Sequence, residues 1–86
     1  MRRIAQWFWR RYPDDQLAFV ARKALAEDPR LLDVTRVSIT CVKGVLRLTG
    51  RVRSRREKEQ MEADIQAALQ GAGLPYQRIL NDLYVR

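Results

Sequence analysis

The segment from Thr35 to Arg53 constrains the fold most, because polar and apolar residues alternate on both sides of a glycine-containing turn. A period of two residues is typical of a strand with one buried face. One set of positions is apolar: Val37, Ile39, Cys41, Leu46, Leu48 and Val52. The other set is polar and rich in arginine: Arg36, Ser38, Thr40, Arg47, Thr49, Arg51 and Arg53. If Lys43-Gly44 is a two-residue turn, Val42 pairs with Val45 and the two apolar sets share one face. The pattern therefore predicts an antiparallel hairpin.

A helix is predicted before the hairpin, from Asp14 to Asp28. Pro13 and the acidic pair Asp14-Asp15 favour a helix start, and Pro29 ends the helix at or near Asp28. The buried stripe has helical spacing and consists of Leu17, Val20, Ala21, Ala24 and Leu25. Phe19 lies off this stripe, so we expect it to need separate cover.

A second helix and a third strand follow the hairpin. Ser54 and Glu57 fit a capping box, in which each residue's side chain bonds to the other's backbone amide. The helix buries one stripe, Met61, Ile65, Ala68 and Leu69, and glycines at 71 and 73 end it. From Arg78 to Arg86, Ile79, Leu83 and Val85 alternate with Leu80, Asp82 and Tyr84. Asn81 falls on the apolar side and needs hydrogen-bond partners there.

The predicted fold is α+β. It is an α-β-β-α-β sandwich, in which a three-stranded mixed sheet carries two helices on one face, plus an extra N-terminal helical segment. The last strand follows a helical crossover, so we expect it to run parallel to one hairpin strand. We divide the chain into an aromatic and arginine-rich segment, residues 1–12, and a domain, residues 13–86.

Composition excludes several classes of chemistry. The chain of 86 residues contains one cysteine and no histidine, so a disulfide framework and histidine-based catalysis or metal ligation are excluded. Alternation places Cys41 in the core, and Asp14 and Asp15 read as helix-start residues. No catalytic constellation or cofactor site emerges, and we predict a non-enzyme.

The pattern of the hairpin and its flanking segments resembles the BON domain, a small module first described in bacterial osmotic-stress and nodulation proteins. The resemblance covers roughly residues 14–86, and its most specific part is the hairpin sequence from Lys43 to Val52, KGVLRLTGRV. The segment from 70 to 77 is longer than the family's usual loop. The resemblance implies the same α/β arrangement and a role in binding phospholipid membranes or small ligands. It implies no fixed site motif.

A net charge of +7 directs attention to anionic partners. The leading candidate site is the basic run at the junction of the second strand and the second helix, extended by arginines of the outward sheet face. Its predicted anion- or lipid-binding residues are Arg51, Arg53, Arg55, Arg56, Lys58, Arg47 and Arg36. The alternative reading of this run is a solvated rim, partly neutralised by nearby glutamates.

The opening segment MRRIAQWFWRRY is the second candidate. Its predicted membrane- or partner-contacting residues are Trp7, Phe8, Trp9, Arg2, Arg3, Arg10 and Arg11. No run is long enough to span a membrane, and the apolar stretch is too short for a signal peptide. We therefore expect a cytoplasmic protein, at most peripheral to the inner membrane face. Three functions stay open: contact with an anionic membrane surface, protein interaction or homo-oligomerisation through residues 1–12, and, less favoured, nucleic-acid binding.

Overall fold

The computed structural model describes residues 12–31 and 33–86, where two helices and three strands follow in the order α-β-β-α-β. Helix α1 spans Asp14–Ala26 and helix α2 spans Arg55–Gly71. The strands are β1, Val37–Val42; β2, Val45–Val52; and β3, Arg78–Val85. This confirms the predicted α+β fold. Of the predicted N-terminal helical segment, residues 1–11 lie outside the described residues.

The sheet has the order β1-β2-β3, and the register of the hairpin is the predicted one. Strands β1 and β2 pair antiparallel, with Val42 opposite Val45 and Ile39 opposite Leu48. Lys43 and Gly44 both have positive φ, 50° and 79°, which is the backbone of a two-residue hairpin turn. Strand β3 pairs parallel to β2, as expected of a strand that follows a helical crossover.

The helix boundaries differ from the predictions in two details. Helix α1 ends at Ala26, two residues before the predicted end, and the carboxylate of Asp28 instead accepts the backbone N–H of Arg30 in a local turn. At α2 the Ser54 hydroxyl accepts the Glu57 N–H, as predicted. The Glu57 carboxylate, however, accepts the N–H of Arg53 rather than that of Ser54, so the reciprocal half of the capping box is displaced by one residue.

The core lies where the apolar stripes of both helices meet the sheet. Met61, Ile65 and Leu69 of α2 are fully buried, and so are Leu17 and Ala21 of α1. The remaining core residues are Leu25, Leu31, Ile39, Leu46, Leu48, Val52 and Leu83. Burial of this apolar surface contributes about 25 cal/mol of stabilising free energy per Å². It is the main term that stabilises so small a domain.

Three side chains at the margin of the core test the sequence pattern. The Asn81 side-chain amide donates to the carbonyl of Lys58 and to Glu62 Oε1, which confirms that it needs partners on the apolar side. Val85, predicted to face inward, is 36% exposed because β3 is an edge strand and ends there. Phe19 is 64% exposed, so no described residue provides its expected cover.

Gly50 permits a close approach between the start of β1 and the end of β2. Its φ is 128°, and a Cβ atom there would lie 2.1 Å from the carbonyl oxygen of Arg36. Only glycine combines this backbone conformation with this contact. As a result, the chain at Arg36 lies directly beside the C-terminal end of β2.

Candidate anion-binding site

The mixed topology of the sheet collects four chain segments at one edge. Strand β1 is antiparallel to β2, so the start of β1 lies beside the end of β2. Strand β3 is parallel to β2, so β3 ends there as well, and Arg86 N–H donates to the Val52 carbonyl. Helix α2 begins three residues after β2, at Arg55. Residues far apart in sequence therefore meet at this edge.

A cavity of about 350 Å³ opens at this edge. Four arginines line it: Arg36, Arg51, Arg53 and Arg86. Two carboxylates, Asp33 and Glu57, and the apolar Val52 complete the lining. We call this cavity the arginine pocket. Each guanidinium keeps its charge at any physiological pH, so the four cations outnumber the two anions.

Both carboxylates of the arginine pocket are engaged in local structure. Asp33 Oδ1 accepts the hydroxyl of Thr35 at 2.6 Å and its N–H at 3.0 Å, and these hydrogen bonds hold the pKa of Asp33 below its ordinary value. Asp33 Oδ2 lies 3.5 Å from Arg36 Nε. Glu57 Oε1 accepts the Arg53 N–H at 3.2 Å. Asp33 is therefore ionised at neutral pH, and the side chains that line the pocket are net positive.

The other guanidiniums of the pocket are available to a ligand. Within residues 12–31 and 33–86, Arg51, Arg53 and Arg86 form no ion pair closer than 4.0 Å. A guanidinium presents a planar fork of N–H donors that matches carboxylate and phosphate oxygens bidentately. The arrangement is suited to binding an oxyanion.

The structure brings together three of the seven predicted basic residues and separates the rest. Arg56 lines a neighbouring cavity of about 280 Å³ with Arg30, and Glu57 borders both cavities. Arg55 and Lys58 line neither of these two cavities. Arg47 lies about 13 Å along β2 from Arg51, at about 3.3 Å per residue. Its Nε is 3.4 Å from Asp82 Oδ2, so its charge is already balanced.

Arg86 is the one arginine of the pocket that the sequence analysis did not select. Its place follows from the parallel register, in which Val52 pairs with Val85, so that the next residue of β3 lies beside Arg53. The sequence does show a basic residue at the end of the last strand. Placing that residue in the pocket requires knowing which hairpin strand β3 joins.

The outward face of the sheet offers little to a nucleic acid. Tyr84, 65% exposed, is the only aromatic residue of the three described strands. Sheets that bind RNA stack bases on paired aromatic residues. The ion pair between Arg47 and Asp82 further reduces the positive charge of this face. The structure therefore does not favour the nucleic-acid alternative.

Cys41 lies opposite Leu46, as predicted, and packs against the core. Its thiol is 3.4 Å from Asp14 Oδ1 and donates to it. Burial, followed by this hydrogen bond to a carboxylate, raises the pKa of Cys41 to about 11. The thiolate is the nucleophilic form of cysteine, so this thiol is poorly reactive near neutral pH.

A second polar cluster joins the exit of α1 to α2. Arg30 Nε lies 3.0 Å from Asp28 Oδ1, and Arg30 Nη2 lies 3.5 Å from Asp64 Oδ1. The Arg30 guanidinium holds the pKa of Asp28 well below its ordinary value. Burial, and then the nearby Asp28, raises the pKa of Asp64. No group of three or more potential metal ligands occurs among the described residues.

The second set of predicted contact residues, Trp7, Phe8, Trp9 and the four arginines beside them, lies outside the described residues. Membrane contact, protein interaction and oligomerisation through residues 1–12 stay predictions, and so does the division of the chain at residue 13. In the described part of the chain, neither helix combines the length and the apolar character that crossing a membrane requires.

Comparison with known families agrees with the fold. The family model of the BON domain matches residues 13–72, well over half of the chain. The match ends within the segment from 70 to 77, before β3 begins. No curated protein matches the sequence significantly. BON domains are known as phospholipid-binding modules rather than as enzymes, which is consistent with a non-enzymatic binding role. The chain belongs to the BON domain family.

Proposed function

We propose that this protein binds an anionic phospholipid membrane surface through the arginine pocket. The observation that carries the proposal is the convergence of Arg36, Arg51, Arg53 and Arg86 from three strands on one cavity. Membership of a family of phospholipid-binding modules supports the choice of a lipid partner. In this proposal the protein is cytoplasmic and peripheral to the inner membrane face, where anionic lipids create a negative surface potential.

The expected strength of the contact follows from the charges. A basic residue close to an anionic membrane contributes about 1 kcal/mol. Removing two arginines of the pocket therefore costs about 2 kcal/mol, which corresponds to about a 30-fold loss of affinity. The interaction weakens at high salt, because the Debye length falls from about 10 Å at 0.1 M to about 3 Å at 1 M.

Vesicle co-sedimentation tests the proposal. The full chain is mixed with vesicles of phosphatidylcholine alone, or with added phosphatidylglycerol. We expect binding only to the anionic vesicles, and about 30-fold weaker binding for the double variant Arg51→Gln, Arg53→Gln.

The matched control is the double variant Arg47→Gln, Arg78→Gln. It removes the same net charge at the opposite end of the sheet, where Val45 pairs with Arg78. Its affinity should stay within about threefold of the wild type, since neither residue lines the arginine pocket. An equal loss in both double variants, or no binding to either kind of vesicle, contradicts the proposal.

A further inference from the structure

The side chains of the arginine pocket are net positive. Four guanidiniums and two side-chain carboxylates line it, so the cations outnumber the anions among these side chains. A phosphomonoester carries about 1.5 to 2 negative charges near pH 7. A phosphodiester carries a single negative charge, because its second acidic oxygen is esterified. A monoester therefore interacts more strongly than a diester with the positive charge of the four guanidiniums.

The directions of approach also favour a phosphate group with more free oxygens. The arginines enter at the ends of three separate strands: Arg36 precedes β1, Arg51 lies at the end of β2 and Arg53 directly after it, and Arg86 follows β3. A guanidinium fork binds two oxygens in parallel. A phosphomonoester offers three terminal oxygens to donors on several sides, whereas a diester offers two. More of the guanidinium N–H donors are satisfied by the monoester.

The size of the pocket fits a headgroup rather than a single ion. A volume of about 350 Å³ lies near the lower end of the range for small-molecule sites, roughly 300–1,000 Å³. It corresponds to about twelve water molecules at roughly 30 Å³ each. The cavity therefore accommodates a phosphate together with part of the glycerol that carries it.

We infer that the arginine pocket recognises a phosphomonoester and discriminates against phosphodiesters of equal surface charge. The inference rests on the proposed function for its membrane setting, and it adds the chemical class of the headgroup. A diffuse basic surface responds only to the charge density of a membrane. A pocket of convergent guanidiniums responds to the number of charges and free oxygens on each headgroup.

Vesicles of matched surface potential separate these two behaviours. The full chain is titrated with phosphatidylcholine vesicles that contain either phosphatidic acid, a monoester, or phosphatidylglycerol, a diester. The mole fractions are adjusted until the two zeta potentials are equal. We expect at least a tenfold preference for phosphatidic acid, lost in Arg51→Gln, Arg53→Gln and retained in Arg47→Gln, Arg78→Gln. Circular dichroism of both variants verifies that they are folded.

The outcomes distinguish the inference from the proposed function. Equal affinity for the two vesicles overturns the inference and leaves membrane binding intact. Absence of binding to both kinds of vesicle overturns the proposed function. In that case glycerol 3-phosphate, with dimethyl phosphate as the diester control, is titrated into the protein under NMR observation. Saturable shifts at Arg51 and Arg53 with the monoester alone support recognition of a free phosphomonoester, and their absence overturns the inference as well.

Discussion

Replacing Gly50 by alanine tests whether the close approach of β1 and β2 builds the edge of the sheet that holds the pocket. The new Cβ would lie 2.1 Å from the carbonyl oxygen of Arg36, so one strand must move. A side chain at a φ of 128° adds strain of about 1–3 kcal/mol. Disturbing the backbone pairing of Val37 with Gly50 costs about 1 kcal/mol more. The expected loss is about 2–4 kcal/mol, or about 10–25 °C in Tm for a domain of this size.

Thermal unfolding followed by circular dichroism measures this loss, and Gly71→Ala is the matched control. Gly71 ends α2, and a Cβ atom there would meet nothing within 4 Å. Replacing glycine by alanine at position 71 should therefore stabilise the protein by about 0.4–1 kcal/mol. A Tm of Gly50→Ala within about 3 °C of the wild type would refute the argument from close approach.

Three further predictions concern the carboxylates and the thiol. Asp14→Ala removes the acceptor of the turn amides, including the Gly44 N–H at 2.8 Å. It should lower the free energy of unfolding, measured in urea, by about 2 kcal/mol. An unchanged midpoint of urea unfolding contradicts this. Asp64 has a raised pKa in the fold, so its contribution to stability is present below its ordinary pKa of 3.8 and is lost as pH rises through the folded value. Asp64→Asn should flatten the dependence of Tm on pH above pH 4 and raise Tm at pH 7, because an amide can donate to Asp28 without a buried charge. A dependence of the wild-type shape refutes this expectation. Cys41 should react with a maleimide at pH 7.5 much more slowly than it does in the urea-unfolded chain, and equal rates would contradict the raised pKa of its thiol.

The register of the hairpin could be predicted because local rules determine it. The two-residue turn at Lys43-Gly44 and the alternation of Ile39 and Leu48 with polar neighbours agree on a single pairing. The start of α2 at Ser54 was equally local, and the hydroxyl makes the predicted bond. Where neighbouring residues carry the signal, sequence reasoning was sufficient.

The composition of the arginine pocket depends on contacts that local patterns do not specify. Arg86 lies in the pocket only because β3 joins β2 in parallel. Arg47 lies outside the pocket, because it is too far along β2 and forms an ion pair with Asp82. The role of Gly50 was also hidden, since the atom it avoids belongs to Arg36, on the other strand. A run of basic residues in sequence thus indicated the right edge of the sheet, but the sheet order selected the members of the site.

The most direct test of the account is NMR of the arginine side chains during titration with lipid nanodiscs. Anionic nanodiscs should perturb the Nε–H signals of Arg36, Arg51, Arg53 and Arg86, and leave that of Arg47 unchanged. Nanodiscs of phosphatidylcholine alone should perturb none of these signals. Perturbation of Arg47 alone, or equal effects of the two kinds of nanodisc, would contradict the assignment of the arginine pocket as the phospholipid-binding site.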